Sequence, residues 1–184
     1  GTTKAGEIIV IGGHYDSVIG SPGADDNATG VAAVLALARA FGGKKSERTV
    51  RFVGFFNEEP PFWHQPTLMG SRKYAERCKE RKENVVTMMS LETMGYFTDK
   101  PESQHYPFPL SLIYPSTANF LAFVGDLPSV PSMRRTVEAF RRVAKVPSYG
   151  AAAKIQSMSF SDHRSFWHFG YPGFIVHATA FFRN

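Results

Sequence analysis

Gly23-Ala24-Asp25-Asp26-Asn27-Ala28-Thr29-Gly30 leads into a segment in which Val31, Val34, Leu35, Ala38 and Phe41 recur at helical spacing. Two adjacent acids in a glycine-flanked loop repel one another unless a helix N-terminus or a cation meets them. Asn27 and Thr29 stand where an N-cap belongs. Before the loop, residues 7–13 are apolar on both alternating faces, as expected of a strand covered by helices on both sides. After the helix, residues 49–56 repeat that pattern. Strand, helix and strand in this order predict an α/β fold built on a parallel sheet.

The same alternation of patterns continues to the end of the chain. The second strand runs into Asn57-Glu58-Glu59-Pro60-Pro61, where the paired prolines forbid its continuation. A helix is expected over 69–82 and a third strand over 84–91, which ends at Glu92. Residues 99–117, rich in Pro, Ser and Tyr, read as a long loop near a substrate entrance. Further expectations are a strand over 119–124, a helix over 131–144, a loop and short helix over 157–169, and a last strand over 171–177.

At 184 residues the chain fits one domain with a sizeable core. No apolar run approaches the roughly 18 residues that cross a bilayer, so no membrane partner is expected. Cys78 is the only cysteine, which rules out an internal disulfide and any zinc cage built on cysteines. It lies among charged residues that read as a helix face, a poor setting for a nucleophile. The net charge of +5 comes without any nucleic-acid-binding signature, and the arginines of 133–142 read as the wet side of a helix. A chain that opens at Gly1, close to its first strand, reads as processed or trimmed.

His14, Glu58, Glu59 and Glu92 share one placement: each lies just past the carboxyl end of a predicted strand, the edge where α/β sheets bind ligands. The Asp26 loop starts from the same edge. If the strands are neighbours, one histidine and four acids converge, and the carboxylates need cations between them. A pair of divalent metals meets that need, and imidazole with carboxylate suits zinc. Asp16, two residues from His14, is placed to accept the second imidazole N–H.

Several motifs occur in a characteristic order: His14-Tyr15-Asp16-Ser17, the Gly23 to Gly30 loop, Asn57-Glu58-Glu59, Gly70-Ser71 with Tyr74-Ala75, Leu91-Glu92-Thr93-Met94-Gly95-Tyr96, and Ser161-Asp162-His163 with Gly170-Tyr171-Pro172. Together they resemble the co-catalytic di-zinc aminopeptidases of the bacterial leucyl type. The resemblance runs from about residue 7 to the end and is weakest over 99–148.

The resemblance implies a three-layer α/β sandwich with a mixed, mostly parallel sheet, and reads residues 1–184 as one zinc-peptidase domain, incomplete at its ends. Asp26 would bridge two zinc ions, His14 and Glu92 would complete the shell of one, and Glu59 would bind the other. Glu92 stands where aspartate is more usual. Glu58 would be the general base for a water shared by the metals, acting on peptides with a free N-terminus. His163 would donate to the oxyanion. Phe62, Trp63, Phe166, Trp167 and Phe169 could line an apolar pocket or belong to the core. The resemblance also places a further histidine ligand shortly beyond the residues that Phe181 to Asn184 match, so one zinc at most, and weak or no activity, is expected of this chain. The alternatives are a glutaminyl-cyclase-like acyl transfer enzyme with a single zinc, a carboxypeptidase relative, and a non-catalytic module of the same fold. Export is an analogy with relatives alone.

Overall fold

The computed structural model of the chain describes residues 1–106, 108–152 and 161–183. The apolar segment at the start forms β1 (Lys4–His14), and its side chains divide between two faces as a pleated strand requires. Ile8 and Val10 pack with Phe55, Cys78, Met88 and Phe166. Ile11 packs on the other side with Val34, Leu91, Met133, Val137 and Phe174. These two clusters are the interfaces of a three-layer sandwich. On one side lie α1 (Ala28–Phe41) and α3 (Val130–Val143); on the other lie α2 (Gly70–Glu80) and α4 (His163–His168).

The middle layer adds β2 (Arg48–Phe55), β3 (Asn84–Glu92), β4 (Leu121–Gly125), β5 (Ser148–Ala152) and β6 (Gly173–His177) to β1, in the order β2-β1-β3-β6-β4-β5. Every neighbouring pair is parallel except β4 with β6, so the sheet is mixed and mostly parallel. The edge strand β5 has no counterpart in the sequence-based expectation. Its Ser148-Tyr149-Gly150-Ala151-Ala152 offers small residues rather than an apolar alternation, and only Ser148 is buried. Part of the loop expected over 157–169, residues 157–160, lies outside the described residues.

After β1 the chain crosses through α1 to β2 on one side, whereas β3 joins β1 on the other. The strand order therefore reverses between β1 and β3, and their carboxyl ends frame the crevice of a topological switch point. The start of α1 is pressed against that crevice. A Cβ on Gly30 would come within 2.2 Å of both Leu91 O and Asn27 Oδ1, so no larger residue fits there without movement. Among the described residues no helix is long and apolar enough to cross a membrane. Cys78 is buried, and burial pushes its thiol up to about 12, which makes it a packing residue.

Candidate metal centre

The loop before α1 separates its two acids by function. Asp25 Oδ1 accepts the backbone N–H of Gly95 at 2.7 Å and the hydroxyl of Thr29 at 3.2 Å, which ties the loop to the chain beyond β3. Asn27 is fully buried and caps α1: its Oδ1 accepts from Gly30 N at 3.1 Å and from Thr93 N at 3.2 Å, while its amide donates to Leu91 O at 2.9 Å. Asp26, held between these two anchors, turns its carboxylate toward His14.

His14 is the last residue of β1 and is 1% exposed. Its Nδ1 lies 3.0 Å from Asp16 O; a carbonyl only accepts, so Nδ1 carries the proton and Nε2 is the atom offered to the crevice. Nε2 meets Glu92 Oε1 at 2.8 Å, Asp26 Oδ1 at 3.1 Å and Glu58 Oε2 at 3.8 Å. Among the described residues, two sets of donor atoms lie close enough together to hold an ion: His14, Asp26 and Glu92, and His14, Glu58 and Glu59.

Asp16 does more than orient His14. Its carboxylate is 3.5 Å from Nδ1 but accepts the backbone N–H groups of Glu58, at 3.0 Å, and Glu59, at 3.1 Å. The backbone carbonyl of Asp16, not its side chain, takes the imidazole N–H, and the side chain fixes the turn that presents both glutamates. That turn begins at Asn57, whose φ of 57° takes the chain out of β2. Glu58 is buried and Glu59 half-buried, and both face one crevice.

The electrostatics of this cluster are unbalanced. Burial alone would lower the His14 pKa, but the Asp26 and Glu92 carboxylates outweigh it and hold the imidazole charged. One imidazolium does not neutralise the surrounding acids. Glu58 is raised well above the usual range by burial first and then by Glu92 and Asp162. Glu59 is pushed up to about 7 by burial and by Asp26. Glu92 is raised by burial, against the pull of His14. The folded chain thus retains protons that a divalent cation would replace. Asp26 Oδ1 is buried and, although His14 Nε2 lies 3.1 Å away, it accepts no well-angled hydrogen bond among the described residues, which leaves it available to a cation. The donor set fits zinc.

Two neighbours of the cluster carry no role in the sequence-based reading. Ser161 Oγ lies 2.6 Å from Glu92 Oε2 and 2.8 Å from Ser90 Oγ, so it orients the carboxylate at the end of β3. Asp162 is fully buried, its carboxyl raised by burial, and it adds to the field at Glu58. The Ser-Asp-His motif marks the segment, but only the packing of α4 against the sheet shows which atoms face the cluster. His163 of the same motif is fully buried with its ring edge-on to Trp167 at 4.6 Å, and it is not among the residues that line the crevice over the cluster.

A crevice of about 370 Å³ opens over the cluster, with Val18, Trp63, Ile175 and Phe182 as its apolar wall. Of the five aromatic residues flagged as pocket or core, Trp63 lines it and Phe166 is core, 0% exposed. His177, paired in register with Glu92, also faces the crevice. Burial and Arg183 lower its pKa to about 4, so it is neutral, and it belongs to neither donor set.

Residues 1–183 match peptidase family M28. The uncharacterized protein YfbL of Escherichia coli (strain K12) is 36% identical over 190 residues, covering 97% of this chain and 58% of that protein. The aminopeptidase YwaD of Bacillus subtilis (strain 168) is 35% identical over 79 residues, which are 43% of this chain and 16% of YwaD. Among solved structures, the aminopeptidase from Aneurinibacillus sp. strain AM-1 superposes with a TM-score of 0.62 at 27% identity, over 96% of this chain and 35% of that one. The chain therefore spans little more than half the length of YfbL and smaller shares of the other two.

Proposed function

The chain belongs to peptidase family M28, and on that premise we propose that it is the metal-binding core of a zinc-dependent aminopeptidase that removes the N-terminal residue of peptides. The observation that carries this reading is the convergence of His14, Asp26 and Glu92 on one point, with Glu58 3.8 Å from the same imidazole nitrogen. His14, Asp26 and Glu92 would hold one zinc ion, and Asp26 with Glu59 would serve a second. Bound zinc supplies polarisation of the scissile carbonyl and a lowered pKa for water.

The chain's own groups do the rest. Glu58, with its raised pKa, takes the proton of the attacking water and returns it to the leaving amine. Asp16 keeps Glu58 in place through the two backbone N–H groups. The acids at the crevice draw in the cationic free N-terminus of the substrate. Three donors make a firm site for one ion, whereas Asp26 and Glu59 fall one short of the usual catalytic set. Metal analysis after dialysis is expected to find no more than one zinc per chain, and added zinc to give slow hydrolysis of an aminoacyl anilide. Two tightly held ions with fast turnover would overturn the one-ion reading. Cyclisation of an N-terminal glutamine peptide without anilide hydrolysis would overturn the peptidase reading.

A further inference from the structure

Glu58 and Trp63 line both the metal crevice and a second cavity of about 290 Å³, which makes the two spaces neighbours. The two spaces have opposite electrical character. Around the crevice stand Asp26, Glu58, Glu59 and Glu92, whereas the second cavity is walled by Arg72, Arg164 and His168, with Glu58 as its one acid among the described residues. Neither arginine has a carboxylate within ion-pair distance among the described residues. Glu76, the acid that acts on Arg72 electrostatically, is itself bonded to Lys73 at 2.9 Å. The Arg72 guanidinium is steadied over the Phe169 ring at 4.9 Å, and Arg164 is near enough to oppose its charge. Two guanidinium groups kept close without an acid between them form a fork for a carboxylate.

Polarity fixes the direction in which a substrate lies across the two neighbouring spaces. A free ammonium is attracted to the acidic crevice and repelled by the arginines, so the other end of the molecule faces the basic cavity. The cavity is at the small end of ligand-pocket sizes, roughly 300–1,000 Å³, which suits a short terminus rather than a continuing chain. Resting on the aminopeptidase reading above, we propose that the cavity bounded by Arg72 and Arg164 receives a carboxylate on the leaving side of the scissile bond, which makes short peptides with a free C-terminus the preferred substrates. The carboxylate comes from the C-terminus or from an acidic side chain next to it.

Affinity tests this separately from turnover. In zinc-loaded Glu58→Gln chain, where hydrolysis is suppressed, calorimetry should find leucyl-glycine bound about tenfold more tightly than leucyl-glycinamide, the scale of one charge-assisted contact. Leucyl-aspartic α-amide binding as tightly as leucyl-glycine would assign the site to any nearby carboxylate; binding as weakly as leucyl-glycinamide would assign it to the C-terminus. Arg72→Met with Arg164→Met in the same background should bring acid and amide within twofold of each other. The exposed Arg164→Gln alone should reduce the preference in part, which covers the case of a double variant that does not fold. Equal affinity for all three peptides, or no binding of any, would overturn the subsite. If the unmodified chain hydrolyses neither peptide while the affinity order holds, the peptidase reading fails and the carboxylate site stands.

Discussion

Asp25 and Asp26 are neighbours in sequence with opposite surroundings: one faces the chain beyond β3 and the start of α1, the other the end of β1. Asp25 finds an N–H and a hydroxyl; Asp26 finds an imidazole. Residue by residue, variants should separate holding a metal from moving a proton. Glu58→Gln keeps shape and removes basicity, so turnover should fall at least about 10²-fold with zinc content nearly unchanged; loss of zinc together with activity would make Glu58 a ligand. Asp16→Ala frees the turn that carries Glu58 and Glu59. Its expected signature is a turnover lowered about 10–100-fold, with a smaller loss of zinc than Asp26→Ala causes. His14, Glu59 and Glu92 could be picked out in the sequence because each ends or follows an apolar strand, and Asp26 because its loop starts from the same edge. The parts played by Ser161 and Asp162 could not, because they depend on how a six-residue helix packs against the sheet.

At the scale of elements, Asn27 is the buried side chain that joins the start of α1 to the end of β3, beside the bonds that Asp25 and Thr29 make to the chain just past it. Asn27 serves two N–H groups and one carbonyl, and it is buried where water cannot replace it. Asn27→Ala should cost about 2–3 kcal/mol in urea unfolding of the zinc-free chain, since it removes an N-cap and strands polar groups of β3. Asn27→Asp, which keeps the acceptor but loses the amide donor, should fall between. A loss below about 0.5 kcal/mol for Asn27→Ala would mean that the loop is held elsewhere, because exposed caps in peptide hosts already reach that value. The strands β1, β2 and β3 and the helix α1 were legible because central strands and amphipathic helices write their burial into the order of apolar residues. Strand β5 was not, because an edge strand of small residues owes its place to β4 rather than to its own pattern.

For the whole molecule, the acids of the crevice govern how stability depends on pH. Glu59 titrates near 4.5 when unfolded and at about 7 when folded, so across that window the folded chain holds a proton that the unfolded chain has released. Stability of the zinc-free chain therefore falls as pH rises through the window. The raised Glu58 and Glu92 act in the same direction, as does the raised His14 above its ordinary 6.5. The lowered Asp26 opposes them only below its ordinary 3.8. Zinc displaces these protons, so the gap in melting temperature between zinc-loaded and chelator-treated chain should widen from pH 5 to pH 8. A gap independent of pH would rule out exchange of protons for metal. The bond from His14 to Glu92 joins residues 78 positions apart in a chain with a single cysteine. An ion shared by both in the folded chain alone would stabilise it by mass action, by about 2.7 kcal/mol at a free concentration 100 times its dissociation constant. Where a disulfide would fix that margin in the chain itself, here the supply of free zinc would set it, and a chelator would withdraw it without breaking a covalent bond.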